Sequence, residues 1–580
     1  MACLSQENTN STQDLFQQFK DNKWTHLENP QNYNPIYEKL FEITPNNSNS
    51  IQLNHKFRLN HLVAKDNDSQ FKGTVINIKN NESKEVPIFF KYSPLLDPVK
   101  FMMGKYEEKQ VTTPIFGLNN ESKIYQHNNS AYTDGFFYFL SSLLLNQHYF
   151  INGIDFYGSY IGLKHGFKVN IEEELSMIHQ SDFYQLHKDE KIKILGNIDN
   201  YLYNINDSRN YKDKLTIKSK DSLTNILTID TMDEEINDIF TTSSLDTTQD
   251  ITPLTELNIS IHNNDTTDIN KEDKCNNTNS SCSNCSSRSS ITDDNNSESD
   301  NSDSETDNSD SDSITNSEST CSDNSSEEEL HAELDIFPVN MIALEKCDIT
   351  FDKYIVNQDI SNAEMCAGLM QIIMTLVTYQ KCFKLTHNDL HTNNIMLCPT
   401  EKQHIIYQYE NKCYKVPTFG HIYKIIDFGR AIYTFKGQTY YSDSFSKEGD
   451  ATTQYNSPPF YNDEKTKVEP NYSFDLCRLA CSMFDLVVDD DKDIASLDDP
   501  LCNLIVDWCK DDKGRNVLYK TNGEERYPGF KLYKMIARTV HNNIPSKQLE
   551  RDIFSIYRIA KNKVNKKTRV VNIDAMCDMS

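Results

Sequence analysis

From Phe57 onward the chain alternates apolar and polar positions. "GTVINIK" at Gly73 and "VPIFFKY" at Val86 are joined by polar "NNESKE", which predicts two antiparallel strands and a hairpin. "SAYTDGFFYFLSSLLLNQHYF" at Ser130 has helical length and spacing, and "NGIDFYGSYIGLK" at Asn152 reads as a strand again. The pattern then fails between about 204 and 328, where Ser, Asn, Asp and Thr dominate. It resumes at Phe337. "MIALE" predicts a strand, "ITFDKYI" the start of a helix, and "AEMCAGLMQIIMTLVTYQKCF" at Ala363 a long buried helix. "YKII" at Tyr423 is a short strand; helical spacing follows at "FDLCRLACSMFDLVV", "CNLIVDWC" and "FKLYKMIART". Before Phe57 the chain is polar and Asn-rich apart from "YEKLFEI", so a poorly ordered leader ending in a small packed element is expected. The sum is α+β: a strand-rich first part, a helical second part, and a long insert between two strands.

Composition changes this picture in one place. The chain has 580 residues, 37% hydrophobic, and a net charge of −28. Residues 231–330 hold 25 acidic and 3 basic side chains, −22 of that total. The remainder is near neutral, as an ordinary enzyme would be, and argues against nucleic-acid binding as the main function. "DDNNSESDNSDSETDNSDSDS" at Asp293 buries too little to offset its ordering entropy, so it is expected to be a disordered spacer. Its serines flanked by acids also suit phosphorylation by acid-directed kinases. Cys275, Cys282 and Cys285 cluster there without a fourth ligand or a folded frame for zinc. No segment reaches the roughly 18 apolar residues of a membrane span, and "MACLSQENTNSTQ" has neither a basic start nor an apolar run. An intracellular protein with free thiols, not attached to a membrane, is expected.

The candidate chemistry sits in two short stretches. "LTHNDLHTNNIML" at Leu385 crowds His387, Asp389, His391, Asn393 and Asn394 between apolar ends. "YKIIDFGRA" at Tyr423 places Asp427 just after a strand. One carboxylate that accepts a hydroxyl proton, with an amide and a second carboxylate that hold magnesium, suits phosphoryl transfer. Either motif alone could be loop polar groups capping backbone. The joint pattern H-x-D-L-x-x-x-N, a strand, then D-F-G about 33 residues on is far more specific.

With these motifs the chain resembles the protein kinases, and more narrowly the serine/threonine kinases of giant DNA viruses. The resemblance rests on "THNDLHTNNIM", "IDFGRA" and "PNYSFDLCRLACSMFD" at Pro470, and covers residues 57–166 and 337–549. It implies a bilobal kinase-like fold with a small β-rich N-lobe and a larger helical C-lobe. The corresponding division is a leader over 1–56, N-lobe over 57–166, disordered acidic insert over 167–336, last strand and hinge over 337–347, C-lobe over 348–555 and a basic tail over 556–580. It further implies ATP and Mg2+ (or Mn2+) as cofactors, a protein substrate, Asp389 as catalytic base, and Asn394 and Asp427 as metal ligands. His387 would brace the loop by bonding backbone near Phe428, and Asp475 would hold it from below. Lys91, at the end of "PIFFK" in the register of V-A-I-K, would pair the phosphates. Glu107 or Glu108 is the first expectation for its helix partner, with Asp134 or no partner at all as the alternatives. Leu344 would control access behind adenine, while main-chain groups of Glu345 and Cys347 bond the base.

Several positions depart from the family. Of the G-x-G-x-x-G-x-V loop only Gly73 and Val75 remain. Asn388 replaces the arginine before the catalytic aspartate, His391 the lysine after it, and "NSPPF" stands where A-P-E is expected. A catalytically weak scaffold that recruits partners through its acidic insert, and a small-molecule kinase of choline or aminoglycoside type, therefore stay open beside an active protein kinase.

Overall fold

The structure is a computed structural model. It describes residues 9–53, 56–118, 121–172, 174–196, 330–488, 499–565 and 567–580. It is a mixed α+β arrangement whose first part is a curled, seven-stranded antiparallel sheet. The strands are β1 (Leu27–Gln31), β2 (Phe57–Lys65), β3 (Gln70–Asn77), β4 (Ser83–Pro94), β5 (Phe156–Asn170), β6 (Ile192–Leu195) and β7 (His331–Glu345). Their order is β1-β5-β7-β4-β3-β2. Strand β7 lies against β5 along one edge, and against β6 and then β4 along the other. Its stretch from Phe337 to Leu344 is buried throughout, which suits "FPVNMIAL" in the middle of a sheet covered on both faces.

Two expectations about the first part are corrected. From Thr9 to Leu53 the leader is not loose. Helix α1 (Thr9–Lys20) packs Leu15 and Phe19 into the core, where Phe19 meets Phe90 and Tyr160 edge-on. A single apolar stripe on a three-turn helix is easily hidden by Asn-rich flanks. The insert is also shorter than 167–336. Strand β5 runs on to Asn170, helical turns occupy Leu175–His179 and Asp182–His187, and β6 pairs with the start of β7. The acidic run, its serines and the cluster Cys275, Cys282 and Cys285 lie outside the described residues.

Helix α2 (Ser130–His148) crosses behind the sheet, capped at its start by Asn129, whose side chain accepts from Ala131 N. Helix α3 (Phe351–Asn357) precedes α4 (Asn362–Phe383). Helix α4 is apolar on all sides and correspondingly buried. The second part is less purely helical than its sequence suggests. Strands β8 (Ile349–Thr350), β9 (Ile395–Pro399) and β12 (His421–Ile425) form one small sheet. Strands β10 (His404–Tyr409) and β11 (Lys412–Pro417) make a hairpin, and β13 (Ile432–Phe435) pairs with β14 (Gln438–Tyr441). Helices α5 (Phe474–Val487), α6 (Pro500–Trp508) and α7 (Lys531–Thr539) follow. The basic tail is not an appendage. Its β15 (Arg558–Ile559) and β16 (Val570–Asn572) extend the β10–β11 hairpin on both edges, and Asp574 caps that hairpin's turn at Glu410 N and Asn411 N. No helix among the described residues is long and apolar enough to cross a membrane.

Candidate functional site

Strand β12 carries the chain from a buried apolar ladder into Asp427, which adopts the left-handed conformation with φ 65°. Asp and Asn tolerate that region better than most residues. The turn drives Phe428 into the core against Phe137, Tyr138 and His387, and leaves the Asp427 side chain 30% exposed. Asn388 takes the same left-handed conformation, φ 65°, two residues after Thr386 pairs with Ile432. Its amide binds Thr386 O and Arg430 O, and its Oδ1 accepts from Tyr455. So Asn388 is a buried brace for the loop.

Asp475, near the start of α5, accepts from His387 N at 2.9 Å and Asn388 N at 2.8 Å. His387 Nε2 lies 2.9 Å from Ile426 O. The two stretches singled out in the sequence are thus tied together by a part-buried hydrogen bond, and to α5 by two buried ones. Asn394 closes the loop: its Nδ2 donates to Asp389 O at 2.9 Å, and its own carbonyl accepts from Ile426 N at 3.0 Å. His391 packs beside it, with Nε2 3.1 Å from Asn394 Nδ2 and 4.0 Å from Asp389 Oδ1.

Lys91 lies inside β4 opposite Ile342 of β7, and its Nζ reaches two carboxylates. Asp134 Oδ2 is 2.7 Å away and Asp427 Oδ1 2.9 Å. The helix partner is therefore Asp134 on α2. Glu107 and Glu108 are solvent-exposed and pair with Lys109 and Lys191 instead. Asp134 also accepts from Phe428 N and Ser93 Oγ, while Tyr138, one turn further along α2, accepts from Asp427 N. Residues four apart share a helix face, so α2 presents an acid and a phenol to the same site. Burial raises the Asp134 carboxyl above its usual range against the pull of Lys91. At Asp427 burial pushes upward too, but Lys91 wins and holds the group below that range.

Asp389 is held on both oxygens. Tyr533 Oη donates to Oδ1 at 2.7 Å, and Arg430 Nη1 stands 3.5 Å from Oδ2. Burial works against its charge, yet Arg430, His391, Arg478 and the Tyr533 bond keep the carboxyl well below its usual range. Arg430 is in turn fixed by Asp450, with Nε at 3.0 Å and Nη2 at 2.5 Å from Oδ2. The segment after Asp427 is fastened at Asp443 as well, which accepts from Ser130 N at the start of α2, where the helix dipole favours an anion.

The remaining expected positions are more dispersed in role. Gly73 sits mid-strand in β3, facing Leu62 and Val86 across the ladders. A Cβ there would meet Ile88 Cδ1 at 2.5 Å and His61 O at 2.9 Å, so close packing accounts for this glycine. Val75 and Leu344 are buried, Val75 completely. The Glu345 side chain is bound by Lys424 and by Asp155 N, and its own N–H donates to Asp155 O. Cys347 follows at the end of β7, half-buried beside Cys398.

Sequence reasoning did not single out Tyr138, Arg430, Asp450 or Tyr533. Tyr138 was within reach through the four-residue spacing from Asp134, and Arg430 through its place next to the Asp-Phe-Gly stretch. Tyr533 has no local signal. The chain matches no protein-family model and no curated protein.

Proposed function

We propose that the chain is an ATP-dependent protein kinase of two-lobed, kinase-like build, moving the γ-phosphoryl group to serine or threonine hydroxyls of a protein. The observation that carries this reading is the position of Lys91 Nζ. It lies within 3 Å of both Asp134 and Asp427, while Asp427 shares a hydrogen-bonded loop pair with Asp389 and Asn394. Residues 336 positions apart in the sequence converge on one charged point.

The donor set fits magnesium. Asp427 offers a partly exposed carboxylate. The Asn394 amide turns its nitrogen to a carbonyl, so its Oδ1, the atom a cation takes, points the other way. Magnesium is usually held by one or two such protein groups with phosphate oxygens and water completing the shell. Bound there, the ion would neutralise triphosphate charge. Lys91 would hold the phosphates through its ammonium, positioned by Asp134. Asp389, kept ionised, would orient the acceptor hydroxyl in line and take its proton. A weak base suffices where the transition state is loose and proton transfer late.

The test is transfer of radiolabel from ATP to a generic basic protein by wild type, Asp389→Ala and Asp427→Asn. Wild-type transfer that falls at least a hundred-fold in both variants is expected, the scale at which catalytic electrostatics acts. Transfer unchanged by Asp389→Ala would remove the assigned base. Nucleotide binding without transfer to any protein would favour the scaffold reading.

A further inference from the structure

Tyr533 belongs to α7, 144 residues beyond Asp389 in sequence. Its hydroxyl donates to Asp389 Oδ1 at 2.7 Å and accepts from Arg478 Nε of α5 at 2.8 Å. The ring stacks on Phe530 with centroids 5.3 Å apart and lies 6.1 Å from Phe474. The guanidinium carbons of Arg478 and Arg430 stand 5.0 and 5.6 Å from its centroid. Both Tyr533 and Arg478 are 6% exposed. Phenylalanine would satisfy all of the ring contacts. The oxygen adds the bridge between a guanidinium and the proposed base.

A carboxylate on an aspartate turns in a broad torsional well, and an acceptor hydroxyl needs its oxygen within hydrogen-bond reach. With Tyr533 on one oxygen and Arg430 beside the other, rotation is blocked. The lone pairs not engaged by these donors keep a fixed direction. We propose that Tyr533, backed by Arg478, is a positioning residue for phosphoryl transfer, fixing the Asp389 carboxylate toward the acceptor hydroxyl. This deepens the kinase reading and rests on it. In this arrangement Tyr533 acts through Asp389.

The experiment compares full-length wild type, Tyr533→Phe, Arg478→Lys and the double variant, with a generic basic protein and ATP as substrates. Tyr533→Phe should lower kcat roughly ten- to a hundred-fold, the value of a lost hydrogen bond to a charged group, with KM for ATP within about two-fold and unfolding cooperative. Because Arg478 acts through the same hydroxyl, the double variant should lose little more than Tyr533→Phe alone. A kcat unchanged or raised in Tyr533→Phe overturns the proposal; a raised value would mean that the phenol excludes the acceptor. Fully additive losses overturn the shared path through Arg478. Wild type active with Tyr533→Phe equal to it defeats this inference alone. Wild type without any transfer defeats the kinase reading and this inference with it.

Discussion

Lys91 has two anionic neighbours of different depth, and that difference decides what each can do. Asp134 is almost fully buried and spends its oxygens on Lys91, Phe428 N and Ser93, so it is a fixed anchor. Asp427 is shallower and can turn toward solvent or a ligand. Asp134→Asn keeps the shape and an acceptor for Phe428 N but removes the charge that holds Lys91. On the kinase reading, we expect KM for ATP to rise about ten-fold and stability to fall by about 1–3 kcal/mol, the range for a weakened buried charged hydrogen bond. Glu107→Gln and Glu108→Gln should change neither. Steady-state kinetics with a denaturant titration decides the matter, and an unaltered KM for ATP in Asp134→Asn would separate Lys91 from phosphate binding. At this scale the sequence spoke clearly where chemistry is packed locally. Asp389, Asn394 and Asp427 stand in short motifs whose spacing reports their loop. The Lys91 partner was misjudged because nearness in sequence favoured Glu107 and Glu108, whereas the helix that reaches the site begins at Ser130.

The strands of the sheet announce themselves by alternation, but their exceptions carry the energetics. Lys164 in β5 is 9% exposed, donates to His165 O at 2.6 Å and lies 5.5 Å from the Tyr92 ring. Burial lowers its pKa to about 8; Asp68 opposes this, and Lys65 and Lys168 add to it. In the unfolded chain the amine keeps its proton up to its usual 10.5. Between these values the unfolded state binds more protons, so this group makes stability rise with pH there. Below about 8 the buried charge is a standing cost. Lys164→Met should therefore be more stable than wild type at pH 7 by about 1–3 kcal/mol, and the gap should close toward pH 10.5. Denaturant midpoints at pH 7 and pH 10 test this; an equal gap at both would acquit the charge. The elements that went unread were those without a long pattern. Helix α1 shows one short stripe among asparagines, and the tail strands are two and three residues long, ordered by the hairpin they join rather than by their own composition.

In the whole molecule, strands β6 and β7 meet in register on either side of residues 197–329. Leu195 of β6 faces His331 of β7, and Ile192 faces Leu334. Opposed residues in such a pair lie about 5 Å apart, the distance a two- to five-residue hairpin loop spans. Replacing 197–329 with a three-residue Gly-Asn-Gly link between Gly196 and Leu330 should thus preserve the ladder. Closure entropy falls by about 0.6 kcal/mol for each halving of the loop, so the shortened chain should unfold cooperatively, at a midpoint equal to or above that of the full chain. The same deletion removes most of the net charge of −28, since residues 231–330 alone carry −22. A chain near neutrality no longer concentrates a basic protein substrate around itself, an effect that salt screens within about 10 Å at 0.1 M. If the kinase reading holds, kcat should stay, KM for a basic substrate should rise at low salt, and the two forms should converge at high salt. A lost cooperative transition would make the segment part of the fold. A KM difference that persists at high salt would mean that it contacts the substrate directly rather than through its field.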